Sequence, residues 1–168
     1  EVTDNDGKVW RFVTDASIRP ERRERGRLIS ASDLYKVEMN SPKLKYGEMS
    51  KLQEVVRALR RAGALVNFSC GMHVHVDASK HTAQSLKNAL SIMYSKEDIL
   101  FRALNVNENR VHRWCKKVDE GKLRKIRKLP VGADMGKMKD LWYSDTHESP
   151  QYHYNETRYY ALNLHSVF

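Results

Sequence analysis

Residues 69–79 read SCGMHVHVDAS. Side chains of a β-strand alternate between its two faces. As a strand over 72–77, this stretch turns His73, His75 and Asp77 to one face and Met72, Val74 and Val76 to the other. Same-face neighbours in a strand stand about 7 Å apart, so two imidazoles and a carboxylate could line one cavity while the apolar face packs inward. Such a set suits a metal, a polyphosphate or both, because neutral imidazole ligates metals and a tuned imidazole carries protons. Both histidines could also serve only as hydrogen-bonding members of a sheet face, but clustered titratable groups more often mark sites.

Outward from this strand the periodicities change. Before it, 47–61 carries Met49, Leu52, Val55, Val56 and Leu59 at helical spacing, with basic residues in its last turns and Gly63 as a C-cap. After it, Thr82 caps a long helix to about Leu104, with Leu86, Leu90, Met93, Leu100 and Leu104 inward. Further helices are expected over 109–118 and 135–143. Strands are expected over 8–15, 34–40 and 159–168, with loops over 19–32 and 144–155. Trp10, Trp114 and Trp142 are expected as core anchors. The fold class is α+β, a mostly antiparallel sheet covered by helices, in a single domain over 1–168.

Composition bounds the function. The chain has 168 residues, 40% hydrophobic and 30% charged, which is a globular balance. No apolar run reaches the roughly 20 residues of a membrane span, and residues 1–7 are acidic and polar, so the expected setting is cytoplasmic, away from any membrane. Cys70 and Cys115 stand in no zinc-ligand spacing; the first reads as a turn residue and the second as a core one. The net charge of +9 is concentrated in 19–27 (RPERRERGR) and 116–128 (KKVDEGKLRKIRK). Such runs are usually solvated faces, and otherwise attract polyanions. No nucleic-acid-binding signature accompanies them.

Five segments together resemble the amidoligase family of the glutamine synthetase and γ-glutamylcysteine ligase-like superfamily. These are VWRFVTDAS with Asp15 and Ser17, YKVEMNSP with Glu38, Ser41 and Pro42, and the SCGMHVHVDAS strand. NENR…WC follows with Arg110 and Cys115, then TRYYALNLHS with Arg158, Tyr159, Leu162, Asn163 and Ser166. They fall in the family's order. The resemblance implies a glutamine synthetase-like catalytic domain that uses ATP and Mg²⁺, or Mn²⁺, to join a carboxylate to an amine through an acyl phosphate. It implies His73 and Glu38 as metal ligands, His75 and Arg158 as catalytic residues, and Arg158, Asn163 and Ser41 at the cofactor. The implied substrates are amino- and carboxyl-bearing small molecules or peptides, with a homo-oligomer as the implied assembly.

The family also has an early strand carrying G-x-E-x-E and a late one resembling T-I-E-F-R. Neither occurs in this sequence, so the resemblance leads us to expect an incomplete catalytic domain, a fragment of a longer enzyme. Two other functions fit parts of the pattern: a metal-dependent hydrolase built on His73, His75 and Asp77, and a basic polyanion-binding module.

Overall fold

The computed structural model describes residues 1–168. The chain divides into two compact units, Glu1–His73 and Val74–Phe168. Together they make an α+β protein with five strands in small antiparallel sheets and five α-helices.

The first unit holds the strands β1 (Val2–Thr3), β2 (Val9–Val13), β3 (Glu21–Glu24), β4 (Arg27–Ser30) and β5 (Glu38–Asn40), followed by the helix α1 (Met49–Arg61). A three-stranded sheet runs β1-β2-β5, with Val13 opposite Glu38 and Arg11 opposite Asn40. Asp4 closes the β1–β2 turn. One of its oxygens accepts from the Asp6 and Lys8 amides, and the other accepts from Trp10 Nε1 at 3.1 Å. Trp10 is the buried apolar residue of this unit, at 3% exposure.

Residues 19–32 are not a loop but carry the β3–β4 hairpin. Arg25 and Gly26 occupy positive φ (48° and 80°) at its tip, the conformation that matches a two-residue turn to the strand twist. The hairpin carries no apolar alternation because neither face is buried, so period two leaves no trace in the sequence. The expected strand over 34–40 is shorter than its pattern. A 3₁₀ turn takes Asp33–Tyr35 and leaves β5 as Glu38–Asn40. On α1 the expected stripe is present: Met49, Leu52, Val55 and Leu59 are half-buried, while Val56 is exposed. Gly63 follows at φ 95°, as a C-cap glycine should.

The second unit carries α2 (Ala83–Ala103), α3 (Glu108–Arg113), α4 (Glu120–Arg127) and α5 (Met135–Tyr143). A side-chain oxygen caps each one: Thr82, Asn107, Asp119 and Asp134 accept from amides one turn or less ahead. At α2 the cap is reciprocal, with Ser85 N donating to Thr82 Oγ1 and Thr82 N donating to Ser85 Oγ at 2.9 Å. Thr82→Ala is expected to cost about 1 kcal/mol of stability, read as a lower urea midpoint at unchanged m-value.

The core lies in this unit. Ala83, Leu86 and Leu90 of α2 meet Leu123 and Ile126 of α4, Met138 and Trp142 of α5, and Val118 and Leu164 from the connecting segments. Past Leu90 the inward face of α2 departs from expectation. Leu100 and Leu104 are exposed, and Glu97 occupies the buried position at 1% exposure. The helical phase that places 83, 86 and 90 inward also brings 97 inward, whatever its chemistry. Glu97 Oε1 accepts from Val118 N at 3.4 Å.

Burial raises the Glu97 carboxyl above the ordinary carboxylate range, against the smaller opposing pull of the Val118 amide and Lys117. A raised folded pKa gives stability that is full below the unfolded pKa, about 4.3, and lost as pH rises through the folded one. Glu97→Gln keeps the acceptor and removes the charge. It is expected to raise the unfolding midpoint near neutral pH by a few degrees, about 1 kcal/mol, and to give no gain near pH ~4. Thermal scans of both proteins at the two pH values check this.

Two expected strands do not form. Residues 72–77 join no ladder, and Met72, Val74 and Val76 stand 69%, 75% and 76% exposed. Residues 159–168 form turns, apart from one parallel bridge between Lys116 and Tyr160. Alternation specifies which side chains would share a face, but pairing needs a partner edge, and no strand edge pairs with either segment. The expected helix over 109–118 is one and a half turns, Glu108–Arg113. Trp114 is not a core anchor: it is 42% exposed, edge-on to Tyr159 with the Arg113 guanidinium over its ring.

Candidate functional site

Each unit carries part of the expected residue set. In the first unit, the turn before His73 is fixed by Asn67. Its Oδ1 accepts from Ser69 N at 3.0 Å and from Ser69 Oγ at 2.6 Å. Its Nδ2 donates to the Arg19 carbonyl at 2.9 Å and to Glu21 Oε2 at 2.6 Å, tying the segment to the start of the hairpin. Cys70 is a half-buried member of this turn.

His73 is exposed and lies within the electrostatic reach of Asp15. Asp15 follows β2, and its two oxygens accept from Ser17 N at 2.7 Å and Ser17 Oγ at 2.9 Å. Those bonds hold its carboxyl below the ordinary range, with His73 and Lys36 adding to the effect. Glu38 is half-buried at the head of β5, opposite Val13, two residues before Asp15. The β2–β5 register therefore brings Glu38 near the end of the strand that leads into Asp15. Ser41, just past β5, is exposed and donates to the Pro42 carbonyl at 3.0 Å.

In the second unit, His75 is exposed. Asp77 has the same local geometry as Asp15: its oxygens accept from Ser79 N at 2.9 Å and Ser79 Oγ at 3.0 Å. Both are Asp-Ala-Ser tripeptides. The first belongs to the VWRFVTDAS segment, and the second ends the stretch expected as a strand. The repeated tripeptide was the available signal, since Asp favours such local turns. Asp77 thus holds a turn ahead of the Thr82 cap.

Arg158 lies in the 3₁₀ helix Glu156–Tyr159 and is half-buried. Its Nη1 sits 3.1 Å from His153 Nε2 and 3.3 Å from Nδ1, and donates to the His153 carbonyl at 3.3 Å. It forms no ion pair. Asn163 is exposed, and its Oδ1 accepts from His165 N at 2.8 Å. His165 is half-buried, its Nδ1 2.8 Å from the Tyr143 hydroxyl. Sequence reasoning singled out Arg158 and Asn163 but not His153, whose role depends on a turn that no periodicity reveals. Cys115 is half-buried, and burial pushes its thiol up.

A model of the amidoligase family, described as "putative amidoligase enzyme", matches residues 1–168. The chain belongs to this family. No curated protein and no solved structure matches it. No helix of the amidoligase chain is long and apolar enough to cross a membrane.

The expected metal site can be tested on the donor set. No three His, Cys, Asp or Glu side chains gather as a metal-binding group, so the chain builds no multi-donor cage. Mg²⁺ seldom uses one. It keeps its waters and is held by one or two protein oxygens plus substrate phosphates. Glu38 and His73 are chemically suited to that smaller role, the imidazole being better suited to Mn²⁺.

Proposed function

We propose that this amidoligase is a glutamine synthetase-like, ATP-dependent carboxylate–amine ligase. The match to the amidoligase family along residues 1–168 carries the reading. Amide formation from a carboxylate in water needs activation. The simplest route has a carboxylate oxygen attack the γ-phosphorus of ATP, releasing ADP and leaving an acyl phosphate. An amine then attacks the carbonyl carbon, the phosphate departs with the former carboxylate oxygen, and the amine gives up a proton.

The chain's own residues suit this chemistry. Arg158 offers a planar donor fork without an ion-pair partner, the geometry that fits carboxylates and phosphates. His75 and Asn163 are exposed side chains free to meet substrate groups, and Ser41 lies beside the Glu38 strand. Glu38 and His73 would hold a divalent cation, Mg²⁺ or Mn²⁺, which would supply positive charge against the negative charge developing during phosphoryl transfer. The proposed substrates are amino- and carboxyl-bearing small molecules or peptides, met in the cytoplasm. A self-assembled oligomer would cover the exposed apolar side chains Met72, Val74 and Val76.

The test is a coupled assay for ADP release over a matrix of carboxylic acids and amines. ADP formation that requires both partners, and is lost when either is omitted, supports the reading. ADP release indifferent to both, or none with any pair, counts against it.

A further inference from the structure

A cluster of basic groups surrounds the 3₁₀ helix Glu156–Tyr159 of the second unit, and only Arg158 of it belongs to the reading above. Asn155 sets its frame. This residue is fully buried at 0% exposure. Its Oδ1 accepts from Thr157 N at 3.0 Å and Thr157 Oγ1 at 2.8 Å, while its Nδ2 donates to the carbonyls of Glu148 and Ser149. One buried amide therefore ties residues 148 and 149 to residue 157, and His153 and Arg158 lie in and beside the turn it closes. Arg158 Nη1 stands 3.1 Å and 3.3 Å from the two ring nitrogens of His153, an approach in which the ring serves as acceptor to a cation.

His165 lies within the field of both. Burial lowers its pKa first, and the charges of Arg158 and His153 lower it further, while a bond to the Tyr152 carbonyl works the other way. Its Nδ1 faces the Tyr143 hydroxyl of α5 at 2.8 Å, with the two rings edge-to-face at 5.8 Å. The groups bearing on His165 are thus Arg158, His153, the Tyr152 carbonyl and Tyr143, and no carboxylate is among them. The nearest acids in sequence are engaged elsewhere. Glu148 accepts from Glu156 N at 2.6 Å, and the field of Glu156 falls on Lys122 and Tyr160.

A half-buried arginine without a carboxylate, beside two imidazoles, is an electropositive site without its counter-charge. We propose that His153, Arg158 and His165 form an oxyanion-binding site, for a phosphate or carboxylate group, whose affinity rises as the pH falls. Arg158 supplies the permanent charge and the donor fork. His153, exposed beside it, lines the approach to that fork. His165 does not need to touch the anion. Its Nδ1 already faces the Tyr143 hydroxyl, which can accept from a protonated ring as well as donate to a neutral one, so the ring can take up a proton once an anion offsets the Arg158 charge. Binding and protonation are then linked, and each promotes the other by the same factor. The choice of phosphate or carboxylate rests on the ligase reading. The site itself does not.

The probe is inorganic sulfate, which keeps its double charge across the range in which histidine titrates. It is titrated into the full chain while the histidine ring nitrogens are followed by NMR. The expected result is tighter binding at pH about 6 than at pH about 8, by three- to tenfold or roughly one histidine proton's linkage. The His165 ring should titrate at higher pH with sulfate than without. Arg158→Gln should lose binding at both pH values. His165→Gln, which can still bond to Tyr143, should bind equally at both. Displacement of sulfate by ATP would assign the natural ligand to a phosphate, and displacement by glutarate to a carboxylate. Equal affinity at both pH values in the unmodified chain, pH dependence that survives in His165→Gln, or displacement by neither competitor would overturn the proposal. Sulfate binding in a chain that makes no amide would sink the ligase reading alone, and ligase activity without sulfate binding would sink this one alone.

Discussion

His73→Ala is expected to lower carboxylate- and amine-dependent ADP release by about 10²-fold or more, since loss of even an outer-shell partner of a metal commonly costs about 10–100-fold and His73 is proposed to hold the cation itself. The expectation rests on position. His73 follows a turn that Asn67 ties to the start of the hairpin, and it is close enough to Asp15 to help hold that carboxyl ionised. Its side chain is exposed, so truncation removes little packing and should leave the thermal unfolding midpoint unchanged. That separation makes the experiment informative. A fall in turnover with an unchanged midpoint assigns chemistry to His73. An equal fall in both would make it a structural residue of the first unit. Unchanged turnover would remove it from the site altogether.

Trp142→Ala is expected to destabilise the second unit by about 3–5 kcal/mol, the range for emptying a fully buried aromatic site. Trp142 is 0% exposed, packs edge-on against Tyr160 with ring centroids 5.2 Å apart, and lies under the Lys122 ammonium 5.4 Å from its ring. Its backbone carbonyl also accepts from Lys122 Nζ, a side chain at 2% exposure whose ammonium is pushed toward the neutral form by burial. Removing the indole therefore opens a cavity and strips a buried cation of its aromatic cover. Since whole-domain stability is commonly about 5–15 kcal/mol, urea unfolding should show a midpoint lowered by a third or more. Trp142→Phe should lose less, because it keeps a ring against Tyr160 and deletes an indole N–H that has no partner. Equal losses for the two variants would contradict the cavity argument.

Much of the second unit could be read from the sequence because its elements carry their own instructions. Thr82 and Ser85 announce α2, and the spacing of Ala83, Leu86 and Leu90 states its buried face. α5 begins and ends where its pattern does, Met135–Tyr143. What could not be read depends on partners distant in sequence. The alternation in 72–77 is strong, yet alternation is a statement about faces, and the segment pairs with no strand edge. The final segment fails in the same way: Asn163 and His165 are joined by a turn hydrogen bond rather than by a shared strand face. Glu97 shows the opposite case, a charged residue carried inward because the helix phase puts it there. Among the candidate residues, His73 stands out by its spacing, and Glu38 and Arg158 by the family resemblance alone. The approach of His153 to Arg158 was not legible, because it is made by a turn built on the buried amide of Asn155.

In the proposed reaction a carboxylate is activated by phosphoryl transfer from ATP before an amine captures it. The most direct measurement follows an oxygen label. The full chain is supplied with ATP, an amine and a substrate carboxylate enriched in ¹⁸O, and the released phosphate is examined by mass spectrometry. An acyl-phosphate route places one labelled oxygen in each phosphate released, in step with amide formed. Unlabelled phosphate accompanying amide, or label appearing in AMP alongside pyrophosphate, would contradict it.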